Sequence, residues 1–197
     1  MKGTLITIYG INNIGKTTQC MRLVERLKAA GHDAHYVKYP VYDVQPSGDF
    51  INGVLRSPGE QHISEEELQM WFVVNRYQFQ PTLEKWLNEG AVVVAEDYTG
   101  TGIAWGIAKG LEEKWVENIN SKVRREDLAI VIEGERFLKA VEDVHVHERN
   151  DELVEKSLKS HDHLATKYGW TRVPLQDGIE ATSDLIFEKV ENFLKDS

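Results

Sequence analysis

The segment Gly10-Ile11-Asn12-Asn13-Ile14-Gly15-Lys16-Thr17-Thr18 lies between the β-branched, apolar run Leu5–Tyr9 and a helix-period stretch beginning at Lys16. It satisfies G-x-x-x-x-G-K-[ST], and its placement between strand and helix constrains the chain more than the string does. Glycines allow backbone N–H groups to turn inward around phosphate oxygens, and the following helix N-terminus adds positive potential. In such a loop Lys16 reaches the β- and γ-oxygens of a nucleoside triphosphate, and the Thr17 hydroxyl is a ligand for Mg²⁺. An ordinary glycine turn with an exposed lysine would not need strand, loop and helix in this order.

The rest of the chain repeats that alternation. Strand-like runs fall at Leu5–Tyr9, Ala34–Lys38, Ala91–Ala95, Leu128–Ile132 and Thr171–Pro174. Helix-period stretches fall at Lys16–Ala30, Ser64–Asn88, Gly102–Ala108, Leu153–Tyr168 and Ile179–Leu194. Gly31, Gly90 and Gly169 each close a helical run ahead of a strand, as C-terminal helix stops do. The expected fold is therefore α/β, a parallel sheet flanked by helices on both faces. At 197 residues, with no repeat or Pro/Gly/Ser-rich linker, a single domain spanning 1–197 is expected.

Charge narrows the partners. The chain has 23 basic and 32 acidic residues, a net −9, which repels polyanions and leaves no broad basic face for nucleic acid or anionic lipid. Bound phosphate then belongs in a small, locally cationic pocket, with small-molecule nucleotides as the expected partners. Cys20 is the one cysteine, so a disulfide framework is excluded and a reducing compartment is the simpler expectation. The N-terminal MKGTLITIYG reads as strand and turn rather than as a secretory leader, and no apolar run is long enough to span a membrane. A soluble cytoplasmic protein is expected.

Three further groups carry chemistry. Phe72 and Arg76 are four apart in a largely apolar helix and share a face; a ring beside a guanidinium can stack on a base and donate to its carbonyl edge. The competing reading is a core phenylalanine beside a salt-bridged arginine. Glu96-Asp97-Tyr98 follows a strand at the sheet edge where open α/β folds bind ligands. There Glu96 can hold Mg²⁺ through water and Asp97 can accept a proton or a sugar hydroxyl, the alternative being carboxylates that cap a helix ahead of Gly102. His147-Glu148-Arg149-Asn150-Asp151 precedes a helix; Arg149 can close over a transferring phosphoryl group, or the run is a solvated cap.

Together these residues resemble the thymidylate kinase family of nucleoside monophosphate kinases, as a divergent member. The resemblance runs over nearly the whole chain: GINNIGKTTQ in the phosphate loop, KYP at Lys38–Pro40, FVVNR at Phe72–Arg76, EDYTGTGIAWG at Glu96–Gly106, HERND at His147–Asp151 and QDGIE at Gln176–Glu180. It implies a P-loop NTPase fold with five parallel strands and a small mobile lid at about 141–150, ATP and Mg²⁺ as cofactors, and transfer to dTMP. It further implies that Phe72 stacks on thymine, that Arg76 bonds the base carbonyl, and that Tyr98, Gly102 and Trp105 line the sugar and base pocket. Asn12, Tyr39, Pro40 and Tyr42 would complete the acceptor side. Gln176, Asp177, Gly178 and Ile179 would lie by the adenine, beside the loop residues Gly10 and Asn12 to Thr18. A homodimer is implied in the same way.

The departures all touch phosphate. The family's loop Asp is Asn12, the neighbouring Arg of some members is Asn13, the Arg of Asp-Arg-Tyr is Asp97, an Arg beyond KYP is Tyr42, and a lid Arg is Glu142. An arginine replaced by Asp97 turns attraction into repulsion beside a dianionic acceptor, a swing of several kcal/mol at ~4 Å. Lys38, Arg56, Arg124 and Arg125 are the cations that could rebuild the clamp. A neutral 5′-hydroxyl acceptor, as in a thymidine or deoxynucleoside kinase with Asp97 or Glu96 as base, is the alternative reading. A P-loop protein that binds nucleotide but transfers weakly is the third.

Overall fold

In the computed structural model, residues 3–56, 61–134 and 151–196 are described. The expected lid at 141–150, with Glu142 and Arg149, lies outside them.

Five parallel strands form one sheet in the order β2-β3-β1-β4-β5: β1 (Thr4–Tyr9), β2 (Ala34–Lys38), β3 (Val92–Glu96), β4 (Leu128–Glu133) and β5 (Thr171–Pro174). The central strands read as continuous apolar runs because both of their faces are covered. Alternation divides them between two cores. Leu5, Val93, Ala95 and Val131 face one layer with Leu83, Leu87, Ile103, Val116 and Leu164; Ile6, Ile8, Val92, Val94 and Ile130 face the other with Cys20, Leu23, Leu27, Ile186 and Val190. The first layer is built from α3 (Glu65–Asn88), α4 (Thr99–Ala108), α5 (Glu113–Asn120) and α6 (Asp151–Tyr168). The second is built from α1 (Lys16–Ala29) and α7 (Ile179–Asp196). Fully burying one such Leu or Ile stabilises the fold by about 1.5–3 kcal/mol.

Two helices depart from the sequence expectation. The segment α2 (Ser47–Arg56) carries Gly48 and Gly53, which suppress the helical pattern, and α5 is only 8 residues long. Glu96 closes β3 rather than following it, and α4 begins at Thr99, so Gly102 is interior to that helix. Ser64 is the N-cap of α3, its side chain accepting from Glu67 N at 3.1 Å, with Glu65, Glu66 and Glu67 in the positive first turn.

Register fixes the working end. Ile8 pairs with Glu96 and Tyr9 with Val131, so the C-terminal ends of β1, β3 and β4 are level. The turn after β1 and the carboxylate ending β3 therefore open on the same crevice.

Candidate active site

The crevice is a cleft of about 830 Å³ that runs from residues 12–18 and 176–179 at one end to the α3–α4 wall at the other. At the foot of the loop, Gly10 has φ 141°, and a Cβ there would lie 2.9 Å from the carbonyl oxygen of Ile132. Only glycine lets the loop leave β1 so close to β4. Lys16 Nζ donates to the carbonyls of Gly10 at 3.0 Å and Ile11 at 2.9 Å and lies 3.5 Å from Asp97 Oδ1. Its ammonium is thus held at the mouth of the loop by the backbone. Asn13 and Asp97, at φ 63° and 59°, are the two non-glycine residues in the left-handed region among the described residues. That conformation costs roughly 1–2 kcal/mol, less for Asn and Asp than for most residues, and both strained positions line the cleft.

Glu96 is 2% exposed and accepts three bonds: from Thr17 Oγ1 at 2.8 Å, from Tyr36 OH at 2.5 Å and from Lys38 Nζ at 3.0 Å. Lys38 also donates to Thr17 Oγ1 at 3.4 Å. Burial and the adjacent carboxylate push the Tyr36 phenol well above its ordinary pKa, so it stays a donor to Glu96. The Thr17 hydroxyl and Glu96 carboxylate are hard oxygen donors side by side, a set that suits Mg²⁺ beside phosphate. Asp97 lies one residue further on, 16% exposed, accepting from Thr101 Oγ1 at 2.9 Å. Burial, only partly offset by Lys16, holds its carboxyl above the usual aspartate value. The α4 N-cap is Tyr98 and has no side-chain cap bond, so the capping alternative fails for both carboxylates.

The far wall is the α3–α4 seam. Arg76 is 4% exposed, and its partners are neutral: Nη1 donates to Asn120 Oδ1 and Nη2 to the Tyr98 carbonyl, each at 3.0 Å. Among the described residues Arg76 makes no salt bridge, so the salt-bridged alternative does not describe it there. Burial lowers the pKa of the guanidinium, and its Nε has no partner among the described residues. A buried cation held only by neutral groups is costly unless a ligand completes it. Phe72 and Trp105 line the cleft beside it, with Gly102 beneath: a Cβ on Gly102 would lie 2.6 Å from Arg76 Nη2. Tyr39, Pro40 and Tyr42 form the near lip.

Among the described residues, two expected ones do not line the cleft: Gly10, at the foot of the loop, and Tyr98. The Tyr98 ring is 1% exposed and packs at 4.8 Å on Tyr39 in the core, so Tyr98 serves the site through its carbonyl. Arg124 is occupied by Asp127 at 2.9 Å, and Asp127 bonds Leu5 at the start of β1, the opposite end of the sheet. It cannot rebuild a phosphate clamp; Lys38 lines the cleft, and Arg56 sits 5.8 Å over the ring of Tyr42. Tyr36, Gln69 and Lys109 escaped sequence reasoning. Gln69 alone left a signal, a polar residue three before Phe72 and seven before Arg76 on an apolar face.

A phosphate loop at the head of a parallel sheet, joined in one cleft to a base-sized pocket, defines a P-loop nucleotide phosphotransferase. The family description for thymidylate kinase matches residues 8–180. Human thymidylate kinase is 26% identical over 188 residues, covering 93% of this chain and 87% of the human one. A putative thymidylate kinase of Invertebrate iridescent virus 6 is 27% identical over 191 residues, covering 95% and 85% respectively. The solved structure of a thymidylate kinase from Candida albicans shares the fold at TM-score 0.79, with 20% identity, 97% of this chain and 92% of that one covered. The chain belongs to the thymidylate kinase family, and is thus a nucleoside monophosphate kinase.

Proposed function

We propose that this protein transfers the γ-phosphoryl group of ATP to dTMP, giving dTDP, in a single domain spanning 1–197. The observation that carries the reading is the continuity of the cleft from Lys16 and Thr17 to Phe72 and Arg76. Lys16 and the loop N–H groups hold the donor phosphates, and residues 176–179 border the adenine. Thr17 and Glu96 would hold Mg²⁺, which when bound would supply neutralising charge to the phosphates. Phe72 stacks on the base and Arg76 donates to its carbonyl. An acceptor monophosphate already carries its anionic nucleophile, so positioning and charge neutralisation suffice. Lys38, beside Thr17 and Glu96, supplies the acceptor-side cation that the family places at position 97; Arg149, the lid cation that the family resemblance implies, lies outside the described residues.

Asp97 favours one second reading. A partly buried carboxylate of raised pKa lining the cleft suits proton abstraction from a 5′-hydroxyl, making thymidine the acceptor. A coupled assay of ADP release with dTMP, with thymidine and without acceptor separates the two. Turnover on dTMP at least tenfold above that on thymidine supports the first reading, and the reverse ratio replaces it with the second.

The reading carries with it a cytoplasmic enzyme that works as a homodimer. No described helix is long and apolar enough to cross a membrane. For the second copy, α3 offers an exposed stripe at Met70, Val74, Tyr77 and Pro81, one helical face. Sedimentation of wild type against Val74→Glu tests it: a dimer that dissociates in the variant is expected.

A further inference from the structure

Gln69 is 1% exposed, yet it lines the cleft, and its Oε1 has no hydrogen-bond partner among the described residues. An unsatisfied buried carboxamide oxygen is expensive, and burial of the side chain in an apolar face gives no local reason for a polar residue. The nearest comparable group is Arg76 on the same face of α3, whose buried Nε also lacks a partner among the described residues. One is an orphan acceptor and the other an orphan donor.

The opposite wall sets their separation. A Cβ on Gly102 would lie 2.6 Å from Arg76 Nη2; a Cβ on Gly106 would meet Val116 Cγ2 at 3.0 Å and lie in ordinary contact, 3.6 Å, with Gln69 Nε2. Gly102 and Gly106 are one turn apart on α4, about 6 Å. Arg76 and Gln69 thus reach α4 one turn apart, and both line the same cleft. Phe72 lies between them in sequence and in the cleft wall.

Thymine presents O4, an acceptor, next to N3–H, a donor. Arg76 can satisfy only the first, because a guanidinium has no acceptor. The geometry points to Gln69 as a specificity-determining residue whose side-chain carbonyl accepts the N3–H of thymine while Arg76 donates to O4. A carboxamide exchanges its oxygen and nitrogen by a half-turn at no steric cost, so the acceptor can face the base. Cytosine, with an amino group and a bare ring nitrogen on the same edge, presents the reversed pattern; Gln69 could turn to meet it, but Arg76 could not. The pair therefore selects a keto–imino edge.

The inference rests on the thymine-nucleotide reading above, and its test is arranged to fail separately. Binding of dTMP, thymidine and N3-methyl-dTMP is measured by calorimetry for wild type, Gln69→Leu and Gln69→Glu, with thermal unfolding of each ligand-free protein. Wild type should bind dTMP about 5–100-fold more tightly than the N3-methyl compound, the scale of a buried hydrogen bond. In Gln69→Leu that ratio should collapse towards one while ligand-free Tm holds or rises, since an unsatisfied amide has been replaced by hydrocarbon. Gln69→Glu keeps an acceptor and should keep the discrimination. An unchanged ratio in Gln69→Leu, or a fall in ligand-free Tm with the ratio intact, overturns the role of Gln69 and makes it structural. If the signature appears with thymidine but transfer to dTMP does not, the base reading stands and the acceptor assignment falls.

Discussion

Replacing Gly102 by Ala perturbs the base pocket by one methyl group at a calculable place. The added Cβ would lie 2.6 Å from Arg76 Nη2 and 3.4 Å from its Cζ and Nη1. To reach ordinary contact Nη2 must retreat by about 0.8 Å, the difference between 3.4 and 2.6 Å. The tip of an arginine would normally swing aside at little cost, but this one is tied to Asn120 and the Tyr98 carbonyl at 3.0 Å. Retreat by that amount along the Nη2 bond takes it from 3.0 Å to roughly 3.8 Å from the Tyr98 carbonyl, outside hydrogen-bonding range, whereas Nη1, already 3.4 Å from the added Cβ, keeps its bond to Asn120. A bond from a charged donor contributes about 1.5–3 kcal/mol net, and an interior Gly→Ala change returns about 1 kcal/mol of helix propensity. Net stability should therefore fall by only ~0.5–2 kcal/mol. Acceptor recognition has no such compensation, so the Michaelis constant for dTMP should rise about 10–150-fold, with that for ATP unchanged. Steady-state kinetics with each substrate varied in turn reads both. Gly53→Ala is the control, since nothing lies within 4 Å of its Cβ. A Gly102→Ala enzyme with a dTMP Michaelis constant within twofold of wild type would refute the placement of the base against Arg76.

Lys16→Ala should abolish transfer while circular dichroism and Tm stay close to wild type, because among the described residues the lysine bonds loop carbonyls and Asp97 and belongs to neither hydrophobic core; retention of more than about a tenth of turnover contradicts the donor site. Phe72→Ala should weaken dTMP binding by ~1–3 kcal/mol with little effect on ATP, whereas equal losses for both would make Phe72 core. Asp97→Arg should hold or improve the Michaelis constant for dTMP, with Asp97→Asn as the control at nearly constant size. If thymidine is the acceptor, both changes should lower turnover by roughly 10²–10⁴-fold instead.

Strands were legible because a strand covered on both faces writes a short apolar run bounded by turn residues. Each of the five lies within one residue of its sequence bounds, as with Ala34–Lys38 and Thr171–Pro174. The long helices were legible through their period and glycine stops. Short α2 and α5 were not, since ten and eight residues show too few turns of amphipathic pattern, and Gly48 and Gly53 blur the first. The phosphate loop could be read because its parts are adjacent in the chain. The bonds from Tyr36 and Lys38 to Glu96 could not, because they join β2 to β3 across some 60 residues and depend on sheet register. Tyr98 misled for a related reason: a tyrosine beside a site looks like a wall, and only packing shows that Tyr39 draws its ring inward.

The strand order also determines how this enzyme can change. Because β1 lies between β3 and β4, the loop, α1 and the 176–179 border stand on one side of the crevice, and the base slot is cut by the consecutive helices α3 and α4 on the other. On the proposed reading, Lys38, Tyr39, Pro40 and Tyr42 complete the acceptor side from β2 and the turn after it, while the wall that meets the base falls within residues 65–109. A lineage could exchange one nucleobase for another by substitutions within that stretch, never touching the residues that grip the triphosphate. Substrate drift, in this fold, would centre on α3 and α4, with Glu96 and Asp97 held fixed between them.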